Sequence, residues 1–147
     1  MTTKVADSLV SEMEALFLKR DAWQTWTPVV SQSAGITITI NRAKYVVLGN
    51  TVLVSARITC TTAGTPANAI LISGLPLAIT DANNNANLGT VLYLDTGAAW
   101  YTGIAVANTA TAINFRTNAA TNSFGINPAV TIANGDIISL NLTYERV

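Results

Sequence analysis

The sequence predicts an all-β fold, a β-sandwich of the jelly-roll kind, preceded by a short N-terminal α-helix. Three observations predict it. From Trp23 onward, eight or nine short β-branched runs recur between clusters of turn residues. Residues 3–20 contain no Gly or Pro and are rich in good helix formers. The charge divides along the same line: seven of the sixteen charged residues fall in the first 21 positions, and the remaining 126 residues hold nine. A chain of 147 residues suits one domain of ordinary size. The predicted organisation is a helical stalk over residues 1–22 and a β-domain over residues 23–147.

Taken in order, the helix comes first. Thr2 or Thr3 can cap its start. Ala6, Leu9, Met13 and Leu16 follow a 3-4-3 spacing, the seam of a coiled coil, and Val10 and Phe17 widen that seam. A helix of about 18 residues is marginal alone in water. It therefore either folds back onto its own domain or bundles with copies of itself, and a stripe this wide suits three strands at least as well as two. Beyond Trp23 the period changes to two. Gly35–Asn41 alternates apolar and polar residues, the mark of a half-buried strand. Ala43–Leu48 and Thr51–Cys60 are β-branched runs separated by Gly49-Asn50, a hairpin signal. Ala69–Ser73, Leu88–Leu94, Ala99–Val106, Thr111–Arg116, Ala129–Ile132 and Ile137–Tyr144 continue the series. The turn clusters between them are Thr62–Asn68, Asp81–Asn87, Asp95–Ala98, Thr117–Ser123 and Asn134–Asp136.

Composition removes several function classes. Half the residues are hydrophobic and 11% are charged, with zero net charge; globular domains average about 25% charged. There is no histidine, so no Ser-His-Asp or Cys-His nucleophile can be assembled. Zinc of the Cys/His kind has no ligands, and a single cysteine forms no intrachain disulfide. Eight cations balanced by eight anions offer no phosphate-tracking surface, so nucleic acid is not an expected partner. Asp7, Glu12 and Glu14 interrupt any signal-like apolar run, and no stretch approaches a membrane span. The expectation is synthesis in a host cytoplasm without membrane insertion, with Cys60 as a buried thiol. So few charges also place edge pairing and poor solubility at issue for a lone chain, which burial of its flanks against copies of itself would relieve.

The segment Trp23–Pro28 resembles the entry segment of a β-domain common in bacteriophage tail fibre and receptor-binding proteins. In that family it precedes a first strand like Gly35–Asn41 and a pattern similar to Ala43–Ile58. A short strand ending as in Ile72–Pro76 follows, and the family often closes with a segment like Asn134–Tyr144. The resemblance runs in order over roughly residues 23–147. It implies a trimeric sandwich at the tip of a virion fibre, behind a short coiled stalk, adsorbing to a bacterial surface through glycan or another envelope component. Other virion proteins would be met through the N-terminal end. One departure is that such fibres usually carry a long virion-attachment region before the stalk, whereas here the predicted stalk begins at residue 3.

The chemistry on offer is limited. The acidic residues of the β-region are Asp81, Asp95, Asp136 and Glu145. A carboxylate-pair glycosidase needs two held about 5–9.5 Å apart, and three of these four sit in turns. The run from Asp81 to Asn85 crowds oxygen ligands but lacks the spaced acids of a calcium loop. No metal, cofactor or catalysis is therefore expected. Sugar rings stack on Trp and Tyr while Asn fixes hydroxyls. That makes Asn83, Asn84 and Asn85, and Trp100 and Tyr101, the candidate receptor contacts, at opposite ends of the strand Leu88–Leu94. The asparagine turn is favoured as the exposed tip. One of Trp100 and Tyr101 must face outward by strand alternation. Trp23 and Trp26 are expected to be packing plugs, and Tyr45 and Tyr144 to lie in core or interface. The leading functional expectation is a homotrimeric, non-enzymatic fibre protein that attaches a virion to its host. The alternatives are a structural decoration or connector protein of the virion and a lectin-like carbohydrate module.

Overall fold

The computed structural model describes residues 7–13, 22–80, 82, 86–117 and 122–147. Residues 7–13 form a helix, α1, whose seven residues are all exposed. The described part of the predicted seam is Leu9 and Met13; Ala6 and Leu16 lie outside the described residues. The rest of the described chain is all-β, with ten strands. They are β1 (Gln24–Thr25), β2 (Val29–Gln32), β3 (Ala34–Ile36), β4 (Ile38–Leu48), β5 (Thr51–Cys60), β6 (Leu71–Ser73), β7 (Asn87–Asp95), β8 (Ala99–Thr109), β9 (Ala112–Arg116) and β10 (Ile137–Glu145). They form one curled antiparallel sheet in the order β1-β4-β5-β10-β7-β8-β9-β6-β2-β3.

The sheet curls because the chain passes from β3, at one end of that order, into β4, next to the other end, through Thr37 alone. Inward residues of both halves thereby meet in one core. Val52, Val54, Ile58 and Cys60 of β5 meet Ile138, Leu140 and Leu142 of β10 and Ile113 and Phe115 of β9 there. At one end of the core four rings pack together. Phe115 stacks on Phe124 with centroids 4.4 Å apart, and Tyr93 and Tyr101 meet Phe124 at 5.1 and 5.0 Å. Such tilted and offset contacts add to simple burial of ring area.

Several strands depart from the pattern read in the sequence. Gly35–Asn41 and Ala43–Leu48 were expected as two strands. Residues 38–48 instead form one, with a register shift between Ile40 and Arg42 where Asn41 bulges out. Val29–Gln32 is a strand that the reading missed; it is short, and its partners β3 and β6 are three residues each. Ala129–Ile132 is no strand. Val130 and Ile132 are buried, but the backbone there bonds to a side chain, that of Gln32, rather than to a ladder. Trp23 is no plug: it is half exposed, while Trp26 is buried in the core. Tyr144 is buried with its hydroxyl donating to the Leu77 carbonyl at 3.0 Å, and half-buried Tyr45 donates to Gln24 Oε1 at 2.7 Å.

The strands at the sheet's two ends are only two and three residues long. Short end strands, and a bulge next to Arg42 on β4, are devices that blunt edge-to-edge association. The guard is partial at the β4 side, where β1 pairs with Lys44 and Tyr45 alone and, among the described residues, leaves the rest of the eleven-residue strand without a strand on its outer side.

Candidate functional site

Two buried polar centres hold the loops of the β-body. The first is Gln32, fully buried at the end of β2. Its Nε2 donates to the carbonyls of Val130 (2.7 Å) and Asn68 (3.0 Å), and its Oε1 accepts from the Ile132 N–H (2.9 Å). One amide thus serves segments 36 to 100 residues away. Glycine is needed on both sides of it: a Cβ on Gly64 would overlap Oε1, and one on Gly125, at φ +98°, would overlap the Asn68 carbonyl. The second centre is Asp136, also fully buried. Its carboxylate accepts from the Tyr93 hydroxyl (2.5 Å), the Ala133 N–H (2.7 Å) and the Thr96 N–H (2.9 Å). Burial first, and then the bond to Asp136, push the Tyr93 hydroxyl well above the ordinary tyrosine value. Burial, helped by the Asp136 charge, pushes the Cys60 thiol up from 9.0 to about 12. Burial, again with the Asp136 charge, raises Asp95 as well. With its oxygens committed to three internal donors and none of its surface in solvent, Asp136 is placed to hold the 95–98 and 133–136 turns together rather than to meet a substrate.

Two open concavities lie on the β-body. A cleft of about 200 Å³ lies beside the end of β10, lined by Thr80, Asn87, Thr143, Tyr144 and Glu145 among others. That is below the roughly 300–1,000 Å³ typical of small-molecule pockets. A shallower, more open depression of about 440 Å³ is bordered by Gln24, Val47, Gly49 and Arg146; its volume falls within that range, but it is open to solvent rather than enclosed. Among the described residues no three Cys, Asp or Glu side chains gather as a metal site.

The surface tells more. Trp100 is the second residue of β8 and is 60% exposed, while Tyr101, next to it, turns inward onto Phe124. Alternation had required one of the pair to face outward, and it is the tryptophan. Asn83, Asn84 and Asn85 lie outside the described residues; Asn87, just after them, opens β7 and pairs with Val106. The register fixes which end of the body is which. Gln24, where the chain enters the sheet, pairs with Tyr45, and Tyr45 pairs with Val54. Val54 pairs with Leu142, Leu142 with Gly89, and Gly89 with Ala105. The entry thus shares a row with the start of β7, two residues from Asn87. Trp100 lies five residues along β8 from Ala105, about 17 Å away at the rise of a strand. Asn87 lies at the entry end and Trp100 towards the far end.

No protein-family model, curated protein or solved structure matches this chain. What it does must therefore be read from its own surface and scaffold. Sequence reasoning missed Gln32 and the role of Asp136. Asp136 carried a faint signal, as an acid ending an Asn-Gly turn; Gln32 carried only its place two residues after Val30, on the same face of a strand.

Proposed function

We propose that this chain is a homotrimeric bacteriophage fibre protein that attaches the virion to the bacterial surface by multivalent, non-catalytic contact with glycan. In this reading the curled sheet is the head, a jelly-roll-like sandwich. The helix is one strand of a trimeric coiled coil with Ala6, Leu9, Met13 and Leu16 on its seam. The N-terminal end meets other virion proteins, and the working location is the virion, tail or capsid.

The observation that carries the reading is the uncovered stripe on α1. Leu9, Val10 and Met13 are 54–55% exposed, on a helix that precedes a β-body with its own complete core. A short amphipathic helix gains stability by burying its apolar face, and a second and third copy of the same stripe supply that cover. The β-body supports the binding half of the reading. Its turns are pinned by buried Gln32 and Asp136, and its two clefts are open rather than enclosed. Three shallow sites fixed on one rigid assembly gain avidity without a pocket.

Light scattering on the intact protein should give the mass of three chains. The Leu9→Asp, Leu16→Asp double variant, with six charges in a trimer's seam, should weaken or abolish association through the stalk. A wild-type mass of one or two chains in dilute solution would refute the trimer. A trimer that retains on virions but adsorbs to no bacterial cell would favour the connector reading instead.

A further inference from the structure

We infer that the outer face of β7, β8 and β10, towards the end remote from the chain entry, is a carbohydrate platform on which Trp100 stacks a neutral sugar ring. The inference rests on the attachment reading above and names its contact surface.

The register builds the platform row by row. Trp100 pairs with Leu94 and Leu94 with Ile137, so indole, leucine and isoleucine form one continuous apolar row across three strands. The next row is Thr102, Leu92 and Ser139, and the third is Ile104, Thr90 and Asn141. These nine outward positions include no charged residue, and hydroxyl and amide groups lie directly behind the apolar row. Trp100 at 60% exposure and Leu92 at 37% leave an apolar surface open to solvent. Both sides of β8 are already paired, to β7 and β9, so the face offers no free strand edge to an extended peptide. A pyranose matches what remains: a C–H face for the indole, and hydroxyls for Thr102, Ser139 and Asn141. The nearest cations, Arg57 and Arg116, stand on the flanking strands opposite Ser139 and Ile104. Both arginines flank the rows behind Trp100, whereas the row of Trp100, Leu94 and Ile137 continues into Thr59, so the sugar stacked on the indole itself is a neutral one. The position fits too, because a stalk joined at the entry end leaves this end open.

The test uses the intact protein on an array of neutral and acidic bacterial polysaccharides, and on a panel of bacterial strains. The variants are Trp100→Ala and, as a control at the entry end, Trp23→Ala, which also removes a half-exposed indole. Expected are wild-type binding to neutral glycans, at least a tenfold loss of apparent affinity in Trp100→Ala, and little change in Trp23→Ala. Mass and melting temperature should stay at wild-type values in both, since neither indole is in the core. Full binding by Trp100→Ala, or wild-type binding confined to acidic glycans, would overturn the platform while leaving attachment standing. A fall in mass with Trp100→Ala would overturn it also, by showing the face to be an interface between copies. Wild-type protein that adsorbs to no strain and binds no glycan would remove the attachment reading itself.

Discussion

Replacing Gln32 tests how the long loops of this protein are held. In Gln32→Leu the three side-chain hydrogen bonds disappear together. Two of the groups released, the Val130 carbonyl and the Ile132 N–H, are bonded in a buried setting; the third, the Asn68 carbonyl, is partly buried. A buried polar group left without a partner costs about 1–3 kcal/mol. The two buried ones give about 2–6 kcal/mol, and the third adds less because water can reach it. A loss of about 4 kcal/mol is a large part of the roughly 5–15 kcal/mol that holds a domain folded. It corresponds to a fall in Tm of about 8–16 °C in a chain of this size. Urea and thermal denaturation measure it, and amide exchange at Ile132 should accelerate before global unfolding. Gln32→Glu separates hydrogen bonding from shape. Glutamate keeps the acceptor for Ile132 but turns a carboxylate towards two carbonyls, so its folded-state pKa must rise. Its deficit against wild type should be smallest below about pH 4, where both states are protonated. It should grow as pH rises through the raised value. A Gln32→Leu protein within about 1 kcal/mol of wild type, or a Gln32→Glu deficit independent of pH, would refute the assignment.

The other predictions concern strain, the buried carboxylate and the thiol. Ala67 is exposed with φ at +58°, a conformation costing a residue with a Cβ about 1–2 kcal/mol; Ala67→Gly should therefore raise Tm by a few degrees, read by calorimetry. Asp136→Asn leaves an amide N–H₂ facing donors that the carboxylate satisfied, and should cost about 2–4 kcal/mol in denaturant titrations. Cys60, at about 12 in the folded protein against 9.0 ordinarily, keeps its proton when folded and loses it when unfolded. Its contribution to stability is whole below pH 9 and is lost between 9 and about 12, and Tyr144, raised by burial from 10.0 to about 12, acts in the same direction. Stability should accordingly fall with rising pH above about 9, and a thiol reagent at pH 8 should label Cys60 only as fast as the protein unfolds.

Legibility followed the range of the interactions. Thr51–Cys60 came out as read, and Ile137–Tyr144 and Leu88–Leu94 fell short by only a residue or so at their ends. Each has a period of two and a turn signal beside it, and both are local properties. The split expected at Arg42 failed because a bulge absorbs one extra residue without ending the strand, which no alternation pattern announces. Ala129–Ile132 has the composition of a strand and the burial of one. The Val130 carbonyl and the Ile132 N–H went to a side chain about 100 residues earlier and the Ile132 carbonyl to the Gly64 N–H, and a pattern within the segment holds no trace of that. The outward turn of Trp100 was legible as one of two alternatives, since alternation says that neighbours face opposite ways but not which faces the core. Phe124, against which Tyr101 packs, sits in an irregular segment that gave no periodic signal.

The placement of Trp100 also bears on which of the two proposed receptor regions makes the contact. Composition favours the asparagine turn as the tip, because three consecutive amides are polar and adaptable. Direction of entry argues the other way. Because β1 runs antiparallel to β4, residues before Gln24 lead towards the Gly49-Asn50 hairpin, and Asn87 lies at that same end. Whatever a stalk brings with it arrives at the end where Asn87 lies. The far end carries the Asp95–Ala99 and Asn134–Asp136 turns, bound to each other through Asp136, and above them the exposed indole. A weak contact repeated on three heads gains most when each head holds its geometry without spending ordering entropy on binding. The Trp100 end meets that condition through a buried carboxylate with three donors. Replacing Asn83, Asn84 and Asn85 together by Ala should thus change adsorption less than the single change Trp100→Ala. The reverse order, with mass and melting unchanged in both, would return the contact to the asparagine turn.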